Sequence, residues 1–370
     1  MRVSMRAAVA SSAMAIALLA AACGSSPSGG SSSGSGTSAG KFLGCMVTDT
    51  GGIDDKSFNQ SSWQGMQQAA ATNSSKIQVT YLPSTTSADY ASNISTLIGR
   101  HCGIIVTVGF LMAAATQAAA KANPHQKFAI VDCSYASQCL SGAKQNNIDQ
   151  LVFNTVQDGF LGGYLAAGMS KTHVVATYGG ENFGTVTIYE DGFWDGAKYY
   201  DQQHHTSTTV LGWDEPTQKG NFIGNFTDAG AGQSLTNTFI GENADVIFPV
   251  AGGVGLGTAK AIQTANAAGK HVLMEWVDTD GCISAAQYCS EMLTSVTKGV
   301  TPAVKTAVLA AASGTFKGGT YIGTLTNGGA VLSPYHDVAS QVPASLQAEI
   351  KTLQTDIENG TINPATKSPV

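Results

Sequence analysis

The stretch TDTGGIDDKSFNQSSWQGM, residues 48–66, decides how the rest of the chain is read. It follows a short β-type run at 42–47 and opens a helical pattern, so Asp49 stands where a first strand ends. In open α/β sheets, ligands bind in the crevice beyond the carboxyl ends of the strands. Gly51 and Gly52 let the chain turn sharply there, because glycine tolerates backbone angles closed to other residues. Ser57 and Gln60 have the spacing of a capping box, which predicts a helix from about Phe58. Phe58 and Asn59 then stand in its first turn, near the positive end of the helix dipole. A carboxylate, an aromatic face and an amide are expected around one small space. Taken locally, the same pattern fits a capped turn with a core phenylalanine.

Outward from this stretch one grammar repeats: a short β-branched run, a turn with Gly or Asp, then an alanine-rich amphipathic stretch. Strands are predicted at 42–48, 77–82, 103–108, 127–131 and 149–153, with helices at 57–71, 88–100 and 112–122. The grammar then restarts. Helices at 159–169, 187–203, 232–240 and 256–268 alternate with strands at 173–178, 208–212, 245–250 and 271–277. Strands alternating with helices mean a parallel sheet covered on both faces. Two such sets predict an α/β protein of two Rossmann-like lobes with a cleft between them. A strand at 291–294 and a helix at 301–312 are expected to cross back to the first lobe. The chain then returns to the second through 321–325, 330–332 and a closing helix at 344–359. The expected boundaries are 41–155 plus about 279–315 for lobe 1, and 156–278 plus about 316–370 for lobe 2.

Several strands end on the same kinds of residue. FAIVD at 128–132 and EWVD at 275–278 end on carboxylates, as the first strand does at Asp49. VTVGF at 106–110 and FPVAG at 248–252 end on or beside Gly109 and Gly252, leaving backbone N–H groups accessible at a helix start. One such acid is a common turn residue. Three at strand ends in this grammar point to a site.

The amino terminus is not part of the fold. Arg2 and Arg6 precede an apolar core at 13–22, too short to span a bilayer as an anchor, so residues 1–22 read as an export leader. The run LAAACG at 19–24 resembles a bacterial lipobox, with Ala20 where leucine is usual and Cys23 as the acylated residue. Residues 23–40 are a Ser/Gly-rich tether that cannot bury a core. A lipid on Cys23 would hold the body at the extracytoplasmic face of the cell membrane.

Six further cysteines, Cys45, Cys102, Cys133, Cys139, Cys282 and Cys289, are an even set in an exported chain and read as disulfides. Short loops favour Cys133 with Cys139 and Cys282 with Cys289, which leaves Cys45 with Cys102. No C-x-x-C pair or histidine spacing suggests a metal, and no cofactor is expected. Without Arg2 and Arg6, 17 of the 19 Lys and Arg remain against 25 Asp and Glu, a net charge of −8. An acidic body argues against nucleic acid as the partner.

The segments TDTGGIDDKSFNQ (48–60), VGFLM (108–112), KFAIVD (127–132) and GFLGGYLAAG (159–168) resemble the basic membrane protein family. So do ADVIFPVAGGVGLG (244–257), VDTD (277–280) and LTSVTK (293–298). These are lipoprotein substrate-binding components of ABC importers, with purine nucleoside receptors among them. The resemblance implies a type I periplasmic-binding-protein fold, two lobes joined by three crossings, and a monomer working with an ABC permease. It implies that Asp49 and Asn59 bond the base and that Phe58 and Tyr189 stack on it. Gly252 and Asp278 would hold the ribose, with Lys298, Asp132 and Gly109 also in the cleft. Tyr189 stands where the family often has phenylalanine, and the loop at 182–185 departs from the family pattern. Phe183 and Trp194 are therefore rival stacking residues. Riboflavin-like heterocycles are an alternative ligand. A ligand-binding sensor and an exported nucleoside hydrolase, for which Asp54 and Asp55 beside Asp49 are the nearest acid cluster, are alternative functions.

Overall fold

A computed structural model of the protein describes residues 40–368 and Val370. The expected leader, the acylated Cys23 and the tether up to residue 39 lie outside the described residues. The alternation of β-branched runs with alanine-rich stretches folds into two parallel sheets. The first set comprises β1 (Phe42–Val47), α1 (Phe58–Thr72), β2 (Ile77–Leu82), α2 (Asp89–Gly99) and β3 (Ile104–Val108). It continues with α3 (Ala113–Ala122), β4 (Phe128–Val131) and β5 (Ile148–Phe153). All five residues of β3, Ile-Ile-Val-Thr-Val, are buried, as expected for a strand with helices on both faces.

The second set begins with α4 (Val156–Met169), β6 (Val174–Gly179), α5 (Gly184–His204) and β7 (Thr209–Leu211). A small hairpin, β8 (Trp213–Asp214) and β9 (Lys219–Gly220), leads to α6 (Ala229–Gly241), β10 (Val246–Val250) and α7 (Gly255–Ala267). Then come β11 (Leu273–Asp278), the single turn α8 (Gly281–Ser284) and β12 (Met292–Lys298). The chain closes with α9 (Val300–Ser313), β13 (Gly319–Gly323), β14 (Ala330–Leu332) and α10 (Ala344–Glu358).

The two sheets have matching orders, β13-β5-β4-β3-β1-β2 and β14-β12-β11-β10-β6-β7. In each, the first strand of the lobe lies between the second and third, the doubly wound arrangement that opens a crevice at its reversal point. The chain passes between lobes three times: from β5 to α4, from β12 to α9, and from β13 to β14. The crossings run side by side, with Asn154 N–H donating to Gly323 O (2.8 Å) and Gly299 N–H to Gly329 O (2.9 Å).

The expected boundaries differ from this arrangement at two places. β12 pairs with β11 in the second sheet, so 279–298 belongs to lobe 2, and the crossing comes at Gly299. β13 pairs with β5, so 319–323 belongs to lobe 1. β12 runs on past the strand expected at 291–294, and its threonine hydroxyls find acceptors: Thr294 Oγ1 donates to Ser333 O and Thr297 Oγ1 to Val331 O, both at 2.8 Å. Satisfied in this way, β-branched threonines suit a strand interior. α9 then packs on α1, where Gly65 leaves room for the backbone of Thr301.

In lobe 2, α4 is buried along nearly its whole length against α5. Glycines make this possible: a Cβ at Gly163 would be driven into the carbonyl of Phe193, and one at Gly196 into the carbonyl of Phe160. Gly162 leaves space for the Glu275 carboxyl, which has no hydrogen-bond partner among the described residues. Burial alone pushes the Glu275 pKa up to about 8.

The three disulfides pair Cys45 with Cys102, Cys133 with Cys139 and Cys282 with Cys289. No helix among the described residues is long and apolar enough to cross a membrane.

Candidate functional site

The first wall of the site is built by the turn between β1 and α1. Asp49 Oδ1 accepts from Gly51 N–H (3.0 Å) and from Asn59 Nδ2 (2.8 Å). The expected capping box is not formed. Asp55 caps α1 instead, its Oδ1 accepting from the backbone N–H of Ser57 (3.0 Å) and Gln60 (3.1 Å) and its Oδ2 from that of Asn59 (2.7 Å). A carboxylate at a helix N-terminus also meets the positive end of the dipole, which favours it over a serine hydroxyl. Ser57 is thereby released toward the other lobe, where its hydroxyl donates to Asp278 Oδ2 at 2.8 Å.

The remaining walls repeat one device in both lobes. β4 leads directly into Asp132 and β11 ends on Asp278, with φ of 61° and 67° at the two acids. A side chain in this left-handed region is strained by roughly 1–3 kcal/mol, and such residues gather at functional sites. β3 and β10 lead to Gly109 and Gly252, with φ of 105° and 54°. At Gly109 a Cβ would lie 2.7 Å from Asp49 Oδ2, so only glycine lets this backbone close on the acid.

Lys298, the last residue of β12, stands at the centre. Its ammonium lies 2.5 Å from Asp132 Oδ2 and 3.5 Å from Asp278 Oδ1, and 5.1 and 5.2 Å from the ring centres of Phe58 and Tyr189. Burial opposes its charge, but Asp132 and Asp278 outweigh burial and hold the pKa above the ordinary lysine value. Burial raises Asp132 to about 6 in spite of Lys298, and raises Asp55 to about 6 in spite of its three backbone bonds. Asp49 is raised by burial too, against the bonds from Asn59 and Gly51. Tyr189 donates its hydroxyl to Asp278 Oδ1 at 3.2 Å.

The nine residues expected at the site, Asp49, Phe58, Asn59, Gly109, Asp132, Tyr189, Gly252, Asp278 and Lys298, all line one cavity between the lobes. About 610 Å³ of empty space lies along it, a figure that counts the open solvent at its mouth. Of the rival stacking residues, Phe183 lines the cavity and Trp194 does not; Lys198 lies over the Trp194 ring on another face of α5. Tyr189 is wholly buried, with the Lys298 ammonium over its ring as it is over that of Phe58. Phe110 and Phe183 stack across the cleft, with ring centres 5.0 Å apart.

Sequence reasoning missed Asp55 as the cap, and Phe110 and Phe226 as lining residues, while the loop at 182–185, expected to border the cleft, contributes Thr185 as well as Phe183. Asp55 had a signal, an acid just before a helix start, which the Ser57–Gln60 spacing obscured. Phe226 had none. Asp280, Cys282 and His336 are the one metal-like grouping found among the described residues. Cys282 is bonded to Cys289 and Asp280 pairs with His336 at 2.7 Å, so the group has no free thiolate.

The family model described as ABC transporter substrate-binding protein PnrA-like, Bmp, matches residues 42–370. The chain belongs to the Bmp family. It is an ABC transporter substrate-binding protein. Similar proteins include the ABC transporter nucleoside-binding protein BmpA of Lactococcus lactis, 29% identical over 87% of this chain and 88% of the relative. The CD4+ T-cell-stimulating antigen of Listeria monocytogenes is 30% identical over 84% of each chain. Among solved structures, an ABC transporter solute-binding protein from Aeropyrum pernix superposes with a TM-score of 0.76 at 21% identity, over 87% of this chain and 92% of that one. The Bmp chain therefore has the type I periplasmic-binding-protein fold, with the crevice of each sheet facing the shared cavity.

Proposed function

We propose that this Bmp-family protein captures a purine nucleoside outside the cell and delivers it to an ABC permease without chemical change. One observation carries the reading: among the described residues the cavity lining holds four carboxylates, an amide and several aromatic faces, but a single cation, Lys298, already engaged by Asp132 and Asp278. Such a lining suits an uncharged ligand with a flat ring and several hydroxyls. Carboxylates accept from sugar hydroxyls, and an aromatic face contributes roughly 1–3 kcal/mol per stacked base in other sites. A phosphate would meet more negative charge than positive. The name of the Lactococcus lactis relative supports the same reading.

Delivery requires closure of the lobes on the ligand and recognition of the closed form by the permease. Cys23 is the proposed lipid attachment site and residues 23–40 the tether. Loss of radiolabelled palmitate incorporation in a Cys23→Ala variant is the expected sign of that anchor; undiminished labelling would exclude it.

The test is a thermal-shift screen of the mature chain, stripped of carried-over ligand, against nucleosides, free bases, riboflavin and pentoses. A nucleoside at about 100 times its Kd adds about 2.7 kcal/mol. Guanosine, inosine or adenosine is expected to raise the midpoint, and Asp278→Ala to abolish the shift. A response to riboflavin or a pentose with silence from every nucleoside would overturn the ligand. Chromatography of the bound nucleoside checks that it is recovered intact.

A further inference from the structure

Among the described residues Asn59 is the only side-chain amide lining the cavity, and its orientation is fixed by charge. Its Nδ2 donates to two carboxylates at once, Asp49 Oδ1 at 2.8 Å and Asp55 Oδ2 at 3.2 Å. The flipped amide would set a carbonyl oxygen against both anions, so the usual ambiguity between amide oxygen and nitrogen does not arise. Both amide hydrogens are spent, and Asn59 Oδ1 is left buried with no partner among the described residues. Asp49 uses Oδ1 for Gly51 and Asn59, while its Oδ2 faces Gly109 with no bond to either. Both oxygens of Asp55 are occupied by Ser57, Asn59 and Gln60.

We infer that Asp55 is a positioning residue for specificity: by gripping the Asn59 amide nitrogen it makes this wall an acceptor-only surface, Asn59 Oδ1 beside Asp49 Oδ2, selecting a ligand edge that carries N–H donors. This rests on the nucleoside reading and refines it. A 6-oxopurine offers N1–H to such a wall, and a 2-amino group adds a second donor. Adenosine offers its 6-amino group, whereas a purine with a bare N1 lone pair and no amino group meets two acceptors with a third. An unpaired buried acceptor is costly, and sites built to bond a donor reject analogues lacking it far more strongly than apolar pockets reject a missing methylene.

The experiment is calorimetric titration of the mature chain with guanosine, inosine and nebularine, the purine riboside with no donor on its six-membered ring. At about pH 8, Asp55 is ionised, its pKa lying at about 6. Guanosine and inosine are expected to bind at least about tenfold more tightly than nebularine, the worth of one unpaired buried acceptor. Asp55→Asn and Asp55→Ser keep a side chain able to cap α1 but release the anionic grip on Asn59. In either variant that retains a cooperative melt, the inosine-to-nebularine ratio should fall to about threefold or less, whatever happens to absolute affinity. Equal binding of inosine and nebularine by the unmodified protein would overturn the donor rule and leave the nucleoside reading standing. An unchanged ratio in a folded variant would overturn the role of Asp55. Silence from all three nucleosides would overturn the nucleoside reading and this inference with it.

Discussion

The ammonium of Lys298 and the carboxylate of Asp132 lie 2.5 Å apart, one at the end of a lobe 2 strand and the other at the end of a lobe 1 strand. This buried pair spans the cleft. Removing one partner of such a pair strands the other charge, which costs about 3–5 kcal/mol. Lys298→Met should therefore lower the unfolding free energy by that amount, measured by urea titration, because Asp132 and Asp278 lose their cation together. A loss below about 1 kcal/mol would mean that water already screens the pair.

Glu275 gives a pH signature. Its folded pKa of about 8 lies above the ordinary value of 4.5. The folded state thus binds an extra proton between those values, and stability falls as pH rises through that window, by roughly 1.4 kcal/mol per unit. The contribution is complete below 4.5 and gone above about 8. Glu275→Gln keeps the shape without the titration. Calorimetric melts from pH 5 to 9 should show a flatter profile for the variant and a gain in stability at the alkaline end. Parallel profiles would show that the carboxyl finds a partner or water.

The α4–α5 contact predicts a contrast among glycines. Gly163→Ala and Gly196→Ala each force a methyl into backbone of the facing helix and should cost about 3 kcal/mol or more, at the upper end for overpacking. Gly241→Ala, at the end of α6 with open space around it, should gain up to about 1 kcal/mol from backbone entropy. Thermal midpoints of the three variants test the ordering.

The disulfides should rank by the loop each closes. Cys45 and Cys102 are 57 residues apart, and Cys133 and Cys139 only 6. Chain entropy predicts losses of about 4 and about 2.5 kcal/mol for the paired alanine substitutions. Denaturant midpoints that reversed the order would locate the effect in native packing.

Most of the architecture was legible because each lobe alternates continuous β-branched strands with alanine-rich helices, a pattern few other folds produce. Asp49, Asp132 and Asp278 were legible as carboxylates placed at the ends of such strands. β12 was read short, to 294 and not 298, because Ser295, Thr297 and Lys298 interrupt the apolar run, and the Thr297 hydroxyl is satisfied only where Val331 accepts it. Asp55 was hidden for a related reason. Ser57 and Gln60 have the right spacing to cap α1, and only the three-dimensional turn reveals that an acid two residues earlier reaches the same N–H groups. Tyr189 illustrates a further limit: its place at the cavity was readable, but not that a lysine would lie over its ring.

Among the described residues all three disulfides close within a lobe, and none straddles the seam between the lobes. Chemical ruggedness and mechanical freedom are therefore assigned to different bonds. Each bridge hardens its own half against unfolding, while the proposed closure would leave the lobes, joined by three chain crossings, to meet through reversible contacts. A reductant would soften the halves without releasing any link between them, so the closure proposed above would be insulated from the redox state of the surroundings.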